Sequence, residues 1–174
     1  MKKNRDIVDN SEGRKLVTYL QNKLQENKDG FDVATAFFNI EAFSMIREEL
    51  EGVERFRLLL GKSPEFETDE TLGDAIQEFV ESDVEGMEFS KDNKESVETF
   101  IEFSKQENVE VRLYKENFLH GKAYIWDDEV VIGSSNFTAA GLTTNNELNG
   151  IFRSRSRAEH TRQEWFEMLW EDAK

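Results

Sequence analysis

The residues able to do chemistry concentrate between His120 and Glu147. His120 and Lys122 are two apart, and so are Ser134 and Asn136. On a strand, residues two apart share a face. An imidazole can attack phosphorus or carry a proton, an ammonium supplies charge, and a hydroxyl and an amide supply donors. Around one point these groups suit a phosphate. A lone His-x-Lys would read as the wet face of a surface hairpin. The segment Gly133-Ser134-Ser135-Asn136, brought opposite it, is what points to function.

Stretches rich in aromatic and β-branched residues flank Asp127-Asp128, which predicts two strands and a short turn. With Asp127, Asp128 and Glu129 as a three-residue loop, Trp126 lies opposite Val130 and Tyr124 opposite Ile132. Lys122 then faces Ser134 and His120 faces Asn136, so all four polar residues form adjacent cross-strand pairs on one face. A two-residue loop would pair even positions with odd ones and split the cluster across both faces. The three-residue loop lacks the glycine such loops favour.

The rest of the chain supplies a frame. A helix start is expected at Asp9-Asn10-Ser11-Glu12, followed by Leu16, Val17, Leu20 and Leu24 at helical spacing. Phe31 to Phe38 is an apolar run broken only by Asp32 and Thr35, and reads as a central strand. Asn39 is placed to cap a helix through Ile40, Phe43, Ile46 and Leu50. Arg55 to Leu60 is the next strand. From Glu65 to Asn93 an acidic surface excursion is expected, with a short helix around Leu72, Ile76, Phe79 and Val80. A helix with Val97, Phe100, Ile101 and Ser104 on one face follows, then strands at Val109 to Tyr114 and Glu147 to Arg153. A closing helix carries Trp165, Phe166, Leu169 and Trp170, whose spacing marks them as core. Strands interleaved with helices predict an α/β fold, and the antiparallel hairpin makes it a mixed sheet with helices on both faces.

With 174 residues the chain suits one domain, 1–174. Cysteine is absent, so disulfides and thiolate metal sites are excluded. The two histidines, His120 and His160, show no metal-ligand spacing, and His160 reads as a surface helix residue. No apolar run reaches membrane-spanning length and no signal-peptide pattern follows Met1, so a cytoplasmic location is expected. The formal net charge of -15 opposes non-specific binding to a polyanion. Arginines nevertheless cluster after the motif, at Arg153, Arg155, Arg157 and Arg162. Alternate residues on a strand would turn Arg153, Arg155 and Arg157 to one face, as a phosphate backbone requires. Solvated arginines paired to the many acids nearby explain the same pattern equally well.

His120-x-Lys122, then Asp127, then Gly133-Ser134-x-Asn136 resembles the HKD motif of the phospholipase D superfamily. Thr138, the Ala140-Gly141-Leu142 turn and Glu147 are similar to that family too. The interval from Asp127 to Gly133 is one residue shorter than the family pattern. The opening Val-Asp-Asn-Ser, Phe37-Phe38-Asn39, Leu59-Leu60-Gly61 and Leu119-His120-Gly121-Lys122 look like the branch found at the N-terminus of DEAD/SNF2-type helicases. No ATP-binding phosphate loop is present, so the chain would be a fragment or a free-standing relative of that branch.

The resemblance implies a metal-independent phosphodiesterase with no cofactor. His120 would be the nucleophile, forming a phosphohistidine. Lys122 and Asn136 would hold the non-bridging oxygens, and Glu147 would orient His120 through its far nitrogen. Ser134 and Ser135 would contact substrate; from the residues themselves, Arg153 and Arg155 are expected to do so by strand alternation, and Asp127, at the hairpin turn, is expected to be structural. Because the motif occurs once, a homodimer would supply the second histidine on a twofold axis. Single-motif members are mostly nucleases, which implies DNA or RNA as substrate. The competing expectation is a non-catalytic nucleic-acid-binding module attached to a helicase. Lipid hydrolysis finds little support, since no amphipathic docking helix with basic flanks is evident.

Overall fold

The computed structural model describes residues 6–61 and 91–174. Three strands form the parallel half of the sheet: β2 (Phe31–Thr35), β3 (Phe56–Gly61) and β4 (Val109–Tyr114). β2 and β3 are buried along their whole length, the signature of strands covered on both faces. Alternation then sorts their side chains. Phe56, Leu58 and Leu60 enter one core and Leu59 the other.

The antiparallel half adds β5 (Lys122–Ile125), β6 (Val130–Gly133), β7 (Asn149–Phe152) and the two-residue β1 (Ile7–Val8). The seven-stranded order is β1-β7-β6-β5-β2-β3-β4. One face packs on α1 (Leu16–Glu26), α2 (Ile40–Leu50) and α3 (Lys91–Ser104), through Leu20, Phe43, Ile46 and Phe100. A short α4 (Ala139–Thr143) follows β6. The other face packs on α5 (Arg155–Thr161), a π-helical turn (Arg162–Phe166) and α6 (Glu167–Asp172), through Ala158, Phe166, Leu169 and Trp170. The expected mixed sheet with helices on both faces is therefore present.

Several boundaries move for local reasons. α1 starts at Leu16, because Asn10 (φ 62°) and Gly13 (φ 70°) fold a turn before it. The Asn10 side-chain oxygen accepts the Leu16 N–H at 3.0 Å from outside the helix. Asn39 caps α2 as expected, accepting the Ala42 N–H at 3.0 Å. β7 ends at Phe152, and Ser154 caps α5 by accepting the Arg157 N–H at 3.3 Å. Arg153, Arg155 and Arg157 thus do not share a strand face: the first lies in a loop and the other two on a helix. The short helix expected around Leu72 to Val80 lies outside the described residues.

The hairpin register also differs from expectation. Lys122 pairs with Gly133, Tyr124 with Val131 and Ile125 with Val130. The Trp126 N–H donates to the Glu129 carbonyl at 2.8 Å, so only Asp127 and Asp128 form the loop. Glu129 leaves the loop and leads into β6 as a buried acid with partners. It accepts from the Tyr19 hydroxyl at 2.5 Å and pairs with Arg153 at 3.3 Å. The loop residues are held from outside, Asp127 by Arg162 and Asp128 by Lys23. The register puts Tyr124, Trp126 and Val131 in one core, with Ile125 and Val130 in the other.

Candidate active site

Glu147 links Lys122 to Ser134, and Asn136 sits at the adjoining strand end, by a route the flat hairpin did not suggest. After β6 the chain leaves the sheet and crosses the end of β5 to reach β2. Residues 134–137 form this strap. Tyr124 of β5 donates its hydroxyl to the Ser135 carbonyl at 3.0 Å, pinning the strap from below. At the far side Phe137 bridges Phe38 in parallel, and its N–H donates to the Thr35 hydroxyl at 3.0 Å. Carried one step past Ala34–Ala123, the β2–β5 register sets Thr35 level with Lys122. The strap therefore lays Ser134 and Asn136 over the strand end where Lys122 begins.

Asn136 is held by its oxygen. That atom accepts the Phe37 N–H at 3.2 Å and faces the Thr35 hydroxyl at 3.3 Å. The Phe37 N–H can only donate, which fixes the amide flip and leaves the nitrogen as a donor to something else. Ser134 is exposed; its hydroxyl donates to the Glu147 carboxylate and accepts the Leu148 N–H at 3.0 Å. Asn145 donates to the other Glu147 oxygen at 3.3 Å.

Lys122 is 5 % exposed, and its ammonium donates to the His120 carbonyl at 2.6 Å. Burial lowers its pKa, and the Glu147 carboxylate opposes that shift. His120 itself is exposed. Its ring lies 5.6 Å from that of Phe118, and no hydrogen bond engages it among the described residues. The bond expected from His120 to Glu147 is not formed within one chain; that carboxylate accepts from Ser134 and Asn145. Glu147 instead supports the Lys122 charge and anchors Ser134.

Other expected contacts are placed elsewhere. Ser135 is fully buried: its N–H donates to Asn149 at 3.1 Å, and its hydroxyl accepts from Asn149 at 2.9 Å. It holds the strap rather than facing solvent. Arg153 is committed to Asp6 at 2.7 Å and to Glu129 at 3.3 Å, at the end of the sheet that carries the hairpin loop. Arg155 is exposed and makes no ion pair among the described residues. Asp127 sits at the turn, bound by Arg162 at 2.7 Å, away from the other motif residues.

Sequence inspection missed the residues that support the site. Thr35 and Asn149 are buried polar groups that fix the two ends of the strap. Thr35 had a visible signal, as a polar break in an apolar run. Gly121 is the second case. A Cβ there would come within 2.5 Å of Trp165 Cζ2, so only glycine lets the indole lie against the His-x-Lys segment. Nothing in the spacing linked the two. Among the described residues no group of three or more His, Asp or Glu is clustered as a metal site. No described helix is long and apolar enough to cross a membrane.

A family model described as "Cardiolipin synthase, PLD-like domain" matches residues 20–170, most of the chain. The chain belongs to this phospholipase D-like family. A search of curated proteins gives no match. Among solved structures, the phospholipase D-like chain is similar to NucT from Helicobacter pylori, with TM-score 0.56 and 13 % identity over 91 % of this chain and 89 % of that one. It is also similar to the phospholipase D family member Nuc from Salmonella typhimurium, with TM-score 0.56 and 16 % identity over 97 % and 94 %. Phosphatidylserine synthase from Haemophilus influenzae Rd KW20 aligns with TM-score 0.61 and 13 % identity, over 97 % of this chain and 38 % of that one. At these identities the likeness is one of fold. The helicase-associated branch draws no support from these comparisons.

Proposed function

We propose that this phospholipase D-like chain is a metal-independent phosphodiesterase acting on nucleic acid, with its site completed by a second copy. The observation that carries this is the Asn136 amide. Its oxygen is anchored to Phe37, which frees its nitrogen at the strand end where the register sets Thr35 level with the buried Lys122. A fixed donor and a desolvated cation at one point stabilise charge on a phosphoryl oxygen without reorganising.

His120 attacks phosphorus with a ring nitrogen, and the bond to the leaving oxygen breaks as the phosphohistidine forms. The leaving oxygen takes a proton from the second copy's imidazole. That imidazole then deprotonates water, which attacks the phosphohistidine and frees His120. Lys122 and Asn136 hold the non-bridging oxygens through both steps. Glu147 keeps Lys122 cationic, and Ser134 is anchored by Glu147.

The surface around the site suits a second copy. Phe37, Phe118 and Leu148 are 42 %, 51 % and 64 % exposed. Phe37 holds Asn136 by its N–H, Phe118 touches His120, and Leu148 bonds Ser134 by its N–H. Large apolar side chains ringing a polar centre are the composition of an interface core.

The deciding experiment is cleavage of labelled DNA and RNA strands in excess chelator, with His120→Ala as control. Chelator-resistant cleavage lost in the variant, with an acid-labile phosphoenzyme trapped in wild type, is the expected result. Cleavage that survives His120→Ala removes the mechanism. Binding with no cleavage would favour the non-catalytic module.

A further inference from the structure

On the sheet face that carries the C-terminal helices, an open cleft of about 700 Å³ adjoins the His-x-Lys segment. Gly121 and Ile132 line one side. Ser156, Arg157, His160 and Trp165 line the other, from α5 and the π-helical turn. The cleft thus begins one residue from His120. Ile132 is 39 % exposed, large for an apolar strand residue with core on both faces of its sheet.

The charge on Arg157 is the decisive feature. The chain is strongly acidic, and Arg14, Arg47, Arg55, Arg57, Arg112, Arg153 and Arg162 each pair with a carboxylate. Among the described arginines only Arg155 and Arg157 do not. Arg157 instead lies over the Phe152 ring, 4.9 Å from its centroid, which holds the guanidinium without neutralising it. An unneutralised cation beside a phosphodiester site suits a phosphate, and the neighbouring apolar wall suits a base. Glu164 lines the cleft two helical turns beyond Arg157 and disfavours a second phosphate at that end.

We propose that this cleft is a subsite for single-stranded polynucleotide on one side of the scissile phosphate. Arg157 takes a backbone phosphate, and Ile132 and Trp165 take the adjacent base. The subsite rests on the nuclease assignment above.

The test compares Arg157→Ala with wild type on two substrates, a short single-stranded oligonucleotide and bis(p-nitrophenyl) phosphate, which has no flanking nucleotide. The loss in kcat/KM on the oligonucleotide is expected to exceed that on the small ester by about tenfold, chiefly through KM, with Arg157→Lys recovering part of it. The salt slope of oligonucleotide binding should drop by about 0.7. Equal losses on both substrates, or no loss on the oligonucleotide, overturn the subsite. If wild type hydrolyses neither substrate, the nuclease assignment fails while the subsite stays testable. Anisotropy with a labelled strand then decides it: weaker binding by Arg157→Ala supports the cleft, and unchanged affinity and salt slope reject it.

Discussion

The side-chain oxygen of Asn136 accepts the backbone N–H of Phe37 at 3.2 Å, so a residue of the β6–β7 connection is oriented by the end of β2. The consequence is a donor whose direction is fixed before substrate arrives. Asn136→Asp replaces that donor with an acceptor and adds charge of the wrong sign. Its kcat/KM on a small phosphodiester should fall by about 10²–10³. Asn136→Ala should fall less, because it removes the donor without repelling phosphate. Kinetics beside circular dichroism check this; an aspartate variant as active as the alanine variant would show that the amide does not face phosphate.

Gly121 and Trp165 form a second such relationship. A Cβ on residue 121 would lie 2.5 Å from Cζ2 and 3.0 Å from Cη2 of the Trp165 ring, closer than real Cβ contacts, so one of the two must shift. Gly121→Ala should therefore displace His120 and Lys122 and lower kcat/KM by about 10². Adding Trp165→Leu should restore activity on the small ester by opening the space. A Gly121→Ala chain with wild-type kinetics would mean that the ring gives way freely.

The proposed role of Lys122 in holding phosphate requires its charged form, yet burial favours the neutral one. Its ammonium should lose the proton below the ordinary value of 10.5, and the alkaline limb of kcat/KM should lie below that pH. Glu147 raises the Lys122 pKa, so Glu147→Gln should move the limb further down. Carbon NMR of the lysine Cε reports the same midpoint directly. A limb that rises in the glutamine variant would contradict the assigned pairing.

Asp32 shows how the far face is fastened. It is fully buried on β2 and paired with Arg57 and Arg162, each at 2.7 Å, and Arg55 at 3.3 Å. Burial alone would raise its carboxyl, but the bonds and charges of Arg57, with Arg55 and Arg162, outweigh it and hold the pKa below 3.8. Its stabilisation is therefore complete above pH 3.8 and lost as pH falls through the depressed value. Asp32→Asn should lower unfolding free energy by about 3 kcal/mol at neutral pH, since it removes the buried charge that three arginines share, while Arg57 keeps Glu167 and Arg162 keeps Asp127. Denaturant titrations should show that gap constant above pH 3.8 and narrowing below it.

The legible part of this molecule was the part governed by periodicity and by local motif. β2 announced itself as an apolar run, β3 and β4 as strands, and the helix of Ile40 to Leu50 by its spacing and its Asn39 cap. His120, Lys122, Ser134 and Asn136 were legible as residue types at a spacing. Their mode of convergence was not, because it depends on Ser135 and Phe137 being tied to Asn149 and Thr35 across the sheet. Register was misjudged for a related reason. Whether Glu129 belongs to the loop or leads into β6 is decided by Tyr19, far away in sequence, and by Arg153 beyond β7. The arginine strip failed at Ser154, whose capping role starts a helix where alternation suggested a strand.

A shared site makes a prediction that a self-contained one does not. If each phosphate needs His120 from two copies, a mixed dimer of wild type and His120→Ala should be inactive. Refolding equal amounts of the two together should leave about a quarter of the activity of the same total of wild type, instead of about half. Phe118→Glu or Leu148→Glu, placed in the exposed apolar ring, should dissociate the dimer and abolish cleavage together. Sedimentation velocity beside the mixing assay separates the outcomes. A linear dependence on wild-type fraction, or a fully active monomer, would place the whole site within one chain and require a different acid for the leaving group.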